Sequence, residues 1–152
     1  FVPAFTGLGA PYWDSQARGL ICGLTRGASA AHITRAALES IAYQTKDVVD
    51  VMQKELRKSI NVLKVDGGAC RNNFLMQFQA DMLNCHIVRP KMVETTAQGA
   101  AYLAGVTVGL WNPQKDFQKL LKPERTFVPR MSSSQRISLY DGWLQAVKKA
   151  RC

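Results

Sequence analysis

Histidine and paired cysteine are the features this chain has least of. Its 152 residues contain two histidines, His32 and His86, and four cysteines that form no Cys-x-x-Cys pair. Structural zinc sites use such pairs or closely spaced histidines, so the sequence argues against a zinc module and we expect no metal ligands. Cysteines scattered singly are typical of a reducing compartment, which predicts a cytoplasmic protein.

Long apolar runs are also missing. No run reaches the roughly 18 residues that a membrane span needs, so neither a membrane span nor a secretion signal is expected. The chain begins with Phe1 rather than Met, inside a strand-like run, and we expect a longer parent chain whose start lies upstream. With 47% hydrophobic and 20% charged residues, the composition predicts one globular domain or one large lobe.

Acidic residues are scarce toward the C-terminus. Residues 115–152 carry 9 basic and 3 acidic side chains, a net charge of +6, against +9 for the whole chain. A basic tail suits nucleic acid or an anionic partner. Because this tail has no recognisable nucleic-acid motif, we favour a solvated surface or contact with an acidic lobe, and expect no nucleic-acid partner.

Two adjacent glycines mark the most informative segment, residues 65–73. An apolar run predicts a strand over 60–65, and helical periodicity predicts a helix over 74–83. Gly67 and Gly68 allow backbone N–H groups to approach a ligand. The helix that follows begins with unpaired N–H groups and the positive end of its dipole. This arrangement predicts a cradle for a phosphate or a nucleotide.

Other interpretations of this segment stay open. It lacks the Gly-Lys-Ser/Thr ending of a Walker loop and the Gly-x-Gly-x-x-Gly dinucleotide pattern. A tight turn with a helix cap at Asn72 or Asn73 explains the same residues equally well. Asp66 can orient a Mg²⁺-bound water or hydrogen-bond its own turn. Arg71 is more simply a solvated side chain than a phosphate ligand.

The rest of the chain alternates strands and helices. The predicted elements are strands over 1–5, 19–25 and 85–88, a long helix over 30–56, a small-residue helix over 94–110, a basic connector over 114–131, and a closing helix starting at 132–134. Such alternation favours an α/β layer in which helices pack on a sheet.

The long helix carries an apolar stripe at near-helical spacing, formed by Ile33, Ala37, Ile41, Val48, Met52 and Leu56. Ser29 is a good N-cap residue for it, and His32 in its first turn fits a cap or surface role better than catalysis. Tyr12 and Trp13 are expected to pack rather than to touch a substrate.

A fixed pattern before and within this helix resembles a known family. Two blocks separated by seven residues match it: Gly19, Ile21, Gly23 and Leu24, then His32, Ile33, Ala36, Ala37, Leu38 and Glu39. This spacing is similar to the C-terminal signature of the FGGY family of carbohydrate kinases. Further segments resemble the branch of that family that phosphorylates glycerol, namely 2–13, 66–69, 75–81 and 94–101. The sequence assigns Glu39 no chemical role.

The resemblance implies an actin-like ATPase (ribonuclease H-like) lobe, a mixed sheet with helices packed on it. The lobe would span 1–152, with the basic connector and closing helix at 114–152. In this family two such lobes close around ATP and Mg²⁺.

The resemblance also implies which residues bind. Gly68 and Asn72 fall where the family contacts the adenine nucleotide, and Gly67 shapes their loop. Gly99 and Ala100 fall in a segment packed near that loop.

The catalytic base and most of the polyol pocket would lie upstream. No catalytic residue is therefore expected here, and the chain alone is expected to be inactive. The parent would transfer the γ-phosphoryl group of ATP to glycerol, giving sn-glycerol 3-phosphate, and would commonly be a homo-oligomer. Alternatives are a relative that acts on xylulose or gluconate, or a non-enzymatic binding module that uses the basic tail.

Overall fold

Helices and strands alternate along most of the chain. The computed structural model describes residues 1–112, 116 and 122–151. Its helices are α1 (Ala30–Leu56), α2 (Asn73–Leu83), α3 (Thr95–Thr107) and α4 (Ser133–Ala150), and its strands are β1 (Val62–Lys64), β2 (His86–Pro90) and β3 (Pro123–Phe127). A 3₁₀ turn, Gly68–Arg71, lies between β1 and α2. The predicted α/β alternation is confirmed.

The three strands form one mixed sheet in the order β1, β2, β3. β1 and β2 run parallel, with Leu63 opposite Ile87, and α2 makes the crossover that a parallel pair requires. β3 runs antiparallel to β2, with Phe127 also opposite Ile87. Ile87 and Phe127 are both buried, so the sheet contributes directly to the core.

Strand β3 was not predicted, because it lies in the segment read as a basic connector. Of its five residues only Phe127 is buried, so it lacks the apolar alternation that marks a strand in sequence. Charged residues and proline are typical of edge strands, where they discourage pairing with other chains. Residues 114, 115 and 117–121 of the predicted connector lie outside the described residues.

The two predicted N-terminal strands are wrong. Runs 1–5 and 19–25 meet only at an isolated antiparallel bridge between Val2 and Leu20, whose two N–H···O distances are 2.8 and 2.9 Å. Pro3 has no N–H donor to extend the ladder. Residues 21–28 are exposed, and an apolar run without a partner strand does not form a sheet.

Helix α1 begins and ends where predicted. The N–H of Ser29 donates to Nδ1 of His32 at 3.2 Å, which confirms the expected capping role of that histidine. The predicted apolar stripe, however, does not form the buried face: Ile41 is 41% exposed and Met52 is 48% exposed. Within the described residues, no helix is long and apolar enough to cross a membrane.

The buried face of α1 is partly polar. Tyr43 stacks on Trp143 of α4 with ring centroids 5.4 Å apart. Asp47, only 3% exposed, accepts hydrogen bonds from the Tyr140 hydroxyl at 2.5 Å and from Nε1 of Trp143 at 2.9 Å. A buried polar group is tolerated when it is hydrogen-bonded, so this carboxylate joins α1 to α4.

Helix α3 ends three residues earlier than predicted. Trp111 folds back over Gly105, where an added Cβ would lie 2.4 Å from Cε3 of the indole. The same indole stacks on Tyr102 with ring centroids 5.8 Å apart. Gly105 therefore has a packing reason that offsets its low helix propensity.

The two aromatic residues near the N-terminus differ in their surroundings. Tyr12 packs against the core, as expected. Trp13 does not pack, since 80% of its surface is exposed and its φ is +49°. The expectation of a packing role for Trp13 is therefore wrong within the described residues.

We predict that Asp47 makes stability depend on pH. Burial raises the pKa of its carboxyl above the usual 3.8, and the hydrogen bonds only partly oppose this. The folded state then holds the proton more tightly than the unfolded chain, so the contribution is fully present below 3.8 and is lost as pH rises through the folded pKa. Urea unfolding should be measured at several pH values from below 3.8 upward. As pH rises, the free energy of unfolding of the wild type should fall relative to that of Asp47→Asn, whose side chain does not titrate.

A difference between wild type and Asp47→Asn that rises with pH would contradict this assignment. Asp47→Ala provides a second comparison. It leaves the hydroxyl of Tyr140 and the indole N–H of Trp143 without their acceptor, at a cost of about 1–3 kcal/mol for each donor left unpaired.

Candidate functional site

The Gly-Gly segment forms a tight turn between the carboxyl end of β1 and the start of α2. Gly67 has φ +81° and ψ 171°, a conformation that essentially only glycine adopts. Its N–H donates to the Val93 carbonyl at 2.8 Å, which holds the turn against the segment before α3. The 3₁₀ turn then brings the chain to Asn72.

Asn72 caps helix α2. Its side-chain oxygen accepts from the N–H of Leu75 at 3.1 Å, and its own N–H donates to the Ala69 carbonyl at 3.1 Å. The cap interpretation is thus confirmed at Asn72. Because the side-chain oxygen is engaged in the cap, the NH₂ group is the donor that this side chain can offer to a ligand.

Gly68 has no conformational or packing requirement within the described residues. It is exposed, its φ is not positive, and an added Cβ would meet no atom within 4 Å. A glycine that the fold does not need is consistent with close approach of another molecule to the backbone.

Asp66 is hydrogen-bonded outside its own turn in the described residues. Its carboxylate accepts a short hydrogen bond from the hydroxyl of Thr95, the first residue of α3. This contact and the Gly67–Val93 hydrogen bond tie the carboxyl end of β1 to the start of α3. Sequence reasoning missed the role of Thr95, because 29 residues separate the two partners.

A second missed residue is Arg89, on β2. Its side chain is 7% exposed and pairs with Glu124 of β3, with Nε 3.0 Å from Oε2. It also donates to the carbonyl of Cys70, inside the turn, at 2.9 Å. The signal available in the sequence was a charged residue within an apolar strand, since arginine is rarely buried without partners.

Two open cavities flank the turn. One, of about 530 Å³, lies along the strand ends and is lined in part by Val65, Asp66 and Thr95. The other, of about 410 Å³, is lined in part by Arg71 and Arg89. In open α/β sheets, ligands bind at the carboxyl ends of strands, so the turn occupies the position where such a ligand is expected.

The remaining sequence candidates do not add chemistry to this site. In the described part of the chain, no group of three or more His, Cys, Asp or Glu could hold a metal ion. Burial raises the pKa of the Cys70 and Cys85 thiols, which makes them poor nucleophiles. Glu39 accepts from Nε of Arg35 at 2.7 Å, within helix α1.

Gly99 and Ala100 lie on helix α3, shortly after Thr95. An added Cβ at Gly99 would meet no atom within 4 Å, and Ala100 is exposed. Contact between this segment and the turn is made by Val93 and Thr95, as expected for a segment packed near the loop. The part that Gly99 and Ala100 themselves take in it stays a prediction.

Comparison with known proteins identifies the family of this chain. The pattern of the FGGY family of carbohydrate kinases, C-terminal domain, matches residues 1–108. This chain belongs to that family. The turn and both missed residues, Thr95 and Arg89, lie inside the matched range.

Glycerol kinases are similar to this FGGY chain over nearly all of it. A glycerol kinase of Saccharolobus islandicus is 60% identical over 150 residues, which are 99% of this chain and 30% of that enzyme. The chain therefore spans about 30% of the length of the curated relatives it matches.

Solved FGGY structures share the fold. A Plasmodium falciparum glycerol kinase solved with ADP superposes with a TM-score of 0.87 at 37% identity, covering 100% of this chain and 30% of that one. A ligand-bound xylulose kinase of Lactobacillus acidophilus gives 0.73 at 25% identity, covering 99% and 30%. The fold is the actin-like lobe of FGGY kinases, which confirms the predicted fold class.

We predict unequal stability effects of alanine substitution at the two adjacent glycines. Gly67→Ala places a Cβ at φ +81° and should lower the free energy of unfolding by about 1–3 kcal/mol. Gly68→Ala meets open space and should change it by less than about 0.5 kcal/mol. Urea titration of both variants measures the difference, and equal losses would contradict the conformations described here.

Proposed function

We propose that this chain is the C-terminal, nucleotide-binding lobe, residues 1–152, of an ATP-dependent glycerol kinase. The full-length protein would transfer the γ-phosphoryl group of ATP to glycerol and release ADP and sn-glycerol 3-phosphate. The observation that supports this most strongly is the 60% identity to a glycerol kinase across 99% of the chain. Identity to the xylulose kinase is 25%, which favours glycerol over that substrate.

We propose that the nucleotide lies against the turn, at Gly67, Gly68 and Asn72. Gly67 supplies the conformation of the turn, Gly68 lets the ligand approach the backbone, and Asn72 offers its NH₂ donors. The open surface at Gly68 and the engaged side-chain oxygen of Asn72 support these roles.

The lobe would act by positioning. Phosphoryl transfer depends mainly on alignment and charge stabilisation, and a rigid turn fixed to two neighbouring segments provides alignment for one side of the nucleotide. In the described part of the chain, no group of three or more His, Cys, Asp or Glu could hold a metal ion by itself. Kinases commonly hold Mg²⁺ through one or two carboxylates together with the substrate phosphates, so Mg²⁺ would arrive with the phosphates of ATP.

The catalytic base and the glycerol pocket would belong to an N-terminal lobe. On the basis of the family resemblance and the scattered cysteines, we further propose that the full-length kinase is a cytoplasmic homo-oligomer. The alternative of a binding module that uses the basic tail has less support, because tail arginines are engaged internally. Arg136 donates to Asn84 at 3.0 Å, and Arg151 pairs with Asp14 at 3.2 Å.

Substrate preference tests the proposal. We expect the full-length protein to release ADP with glycerol at a kcat/KM at least about 100-fold above that with xylulose or gluconate, since lost hydrogen-bond partners cost orders of magnitude. The 152-residue chain alone should give no rate. A preference for xylulose or gluconate would establish the sister-kinase alternative. No phosphorylation, together with salt-sensitive binding to nucleic acid, would establish the binding module.

A matched pair of substitutions tests where the nucleotide binds. In the full-length enzyme, Gly68→Ala should raise the KM for ATP about tenfold, because a methyl group would occupy the approach to the backbone. Arg71→Ala, three residues away, should leave that KM unchanged within error, because we interpret its exposed side chain as solvated rather than as a phosphate ligand. If Gly68→Ala has no effect, or Arg71→Ala has the larger one, the nucleotide does not lie against the turn as described.

A further inference from the structure

A buried guanidinium lies beneath the 3₁₀ turn. Arg89 is only 6% exposed. It follows two apolar residues of core strand β2, and a charged side chain is unusual at such a position. Three acceptors surround its Nη1: the Cys70 carbonyl at 2.9 Å, the Arg71 carbonyl at 3.3 Å and Oδ1 of Asn73 at 3.0 Å. Two of these acceptors are backbone groups at the end of the turn, and the third belongs to the first residue of α2, so one side chain joins the turn to the helix.

A bulge in strand β3 positions Glu124, the partner of Arg89. β2 and β3 pair Arg89 with Arg125 and Pro90 with Pro123, which leaves Glu124 as an extra residue between the two pairs. Such a bulge redirects a side chain. The Glu124 carboxylate accepts hydrogen bonds from Nε of Arg89 at 3.0 Å and from Nη2 at 3.4 Å. This is the bidentate geometry that suits arginine.

We propose that Arg89, oriented by Glu124, is a positioning residue of the nucleotide site. It fixes the carbonyl groups of the turn, and through them the places of Gly68 and Asn72. The inference rests on the proposed nucleotide role of the turn and extends it to strand β3, which this pair of side chains links to the turn. Arg89 does not touch the nucleotide itself.

The chemistry of the site favours arginine specifically. A guanidinium presents five N–H donors in one rigid plane, whereas an ammonium group is a compact charge with three. Here the plane connects acceptors on opposite edges: the Glu124 carboxylate on one side and the turn carbonyls on the other. Lysine can reach one of these edges and not both at once in the same geometry.

Kinetics of the full-length enzyme separate positioning from general stabilisation. Arg89→Met, which keeps an unbranched chain and removes all donors, should raise the KM for ATP about tenfold while the KM for glycerol stays within twofold. Arg89→Lys should give a smaller rise. Arg125→Met is the matched control, because it removes a neighbouring arginine that lies over the Phe127 ring, and it should leave both constants within twofold.

Glu124→Gln covers the case in which Arg89→Met does not fold. The Glu124 side chain is 49% exposed, so this change is compatible with folding, and it should raise the KM for ATP about threefold. A folded Arg89→Met enzyme with an unchanged KM for ATP would overturn the proposal. Equal increases in the two KM values together with a lowered Tm would also overturn it, since they indicate a general structural role.

Hydrogen exchange gives a readout that does not depend on catalysis. The N–H groups of Cys70 and Asn72 are hydrogen-bonded within the turn, and they should exchange at least about tenfold faster in Arg89→Met than in wild type, while amides of α1 exchange at unchanged rates. Unchanged exchange at Cys70 and Asn72 would overturn the inference. Faster exchange in a protein that phosphorylates no substrate would keep the positioning role of Arg89 and refute the proposed function alone.

Discussion

The backbone of Gly67 is the constraint on which the site depends. Between the last residue of β1 and the first of α2 the chain must reverse, and a φ of +81° at Gly67 makes that reversal possible. The same conformation directs its N–H to the Val93 carbonyl. The conformation of Gly67 therefore produces both the chain reversal and the contact with the segment before α3. The hydrogen bond between Asp66 and Thr95 strengthens the same contact from the neighbouring residue. A glycine at this position is a requirement of the turn before any ligand is considered.

Local signals predicted the elements that depend on local interactions. The bounds of α1, the cap at Asn72 and the start of the closing helix follow from periodicity and capping residues, which act within one or two turns of helix. Strand β3 was not predicted, because an edge strand of charged residues has no apolar alternation. The strands expected over 1–5 and 19–25 failed for the converse reason, since apolar composition does not supply a hydrogen-bonding partner.

The candidate site could be predicted only where its residues are close in sequence. Gly67, Gly68 and Asn72 lie within six residues, and the resemblance to FGGY kinases predicts them as nucleotide-binding residues. Thr95 and Arg89 act on the same turn from 29 and 19 residues away, and no periodicity encodes contacts of that range. In each case the sequence shows a polar residue whose neighbours in the chain do not indicate its hydrogen-bond partner. That partner is brought close only when the chain folds.

The three tryptophans occupy three different environments, which gives the protein its own set of optical probes. Trp143 is 4% exposed and hydrogen-bonded to Asp47, Trp111 is 36% exposed and stacked on Tyr102, and Trp13 is 80% exposed. An indole in water emits at longer wavelength than one in a protein interior. The fluorescence of the folded chain is therefore a sum of overlapping contributions, in which Trp13 reports at longer wavelength on the N-terminal loop and Trp143 at shorter wavelength on the contact between α1 and α4.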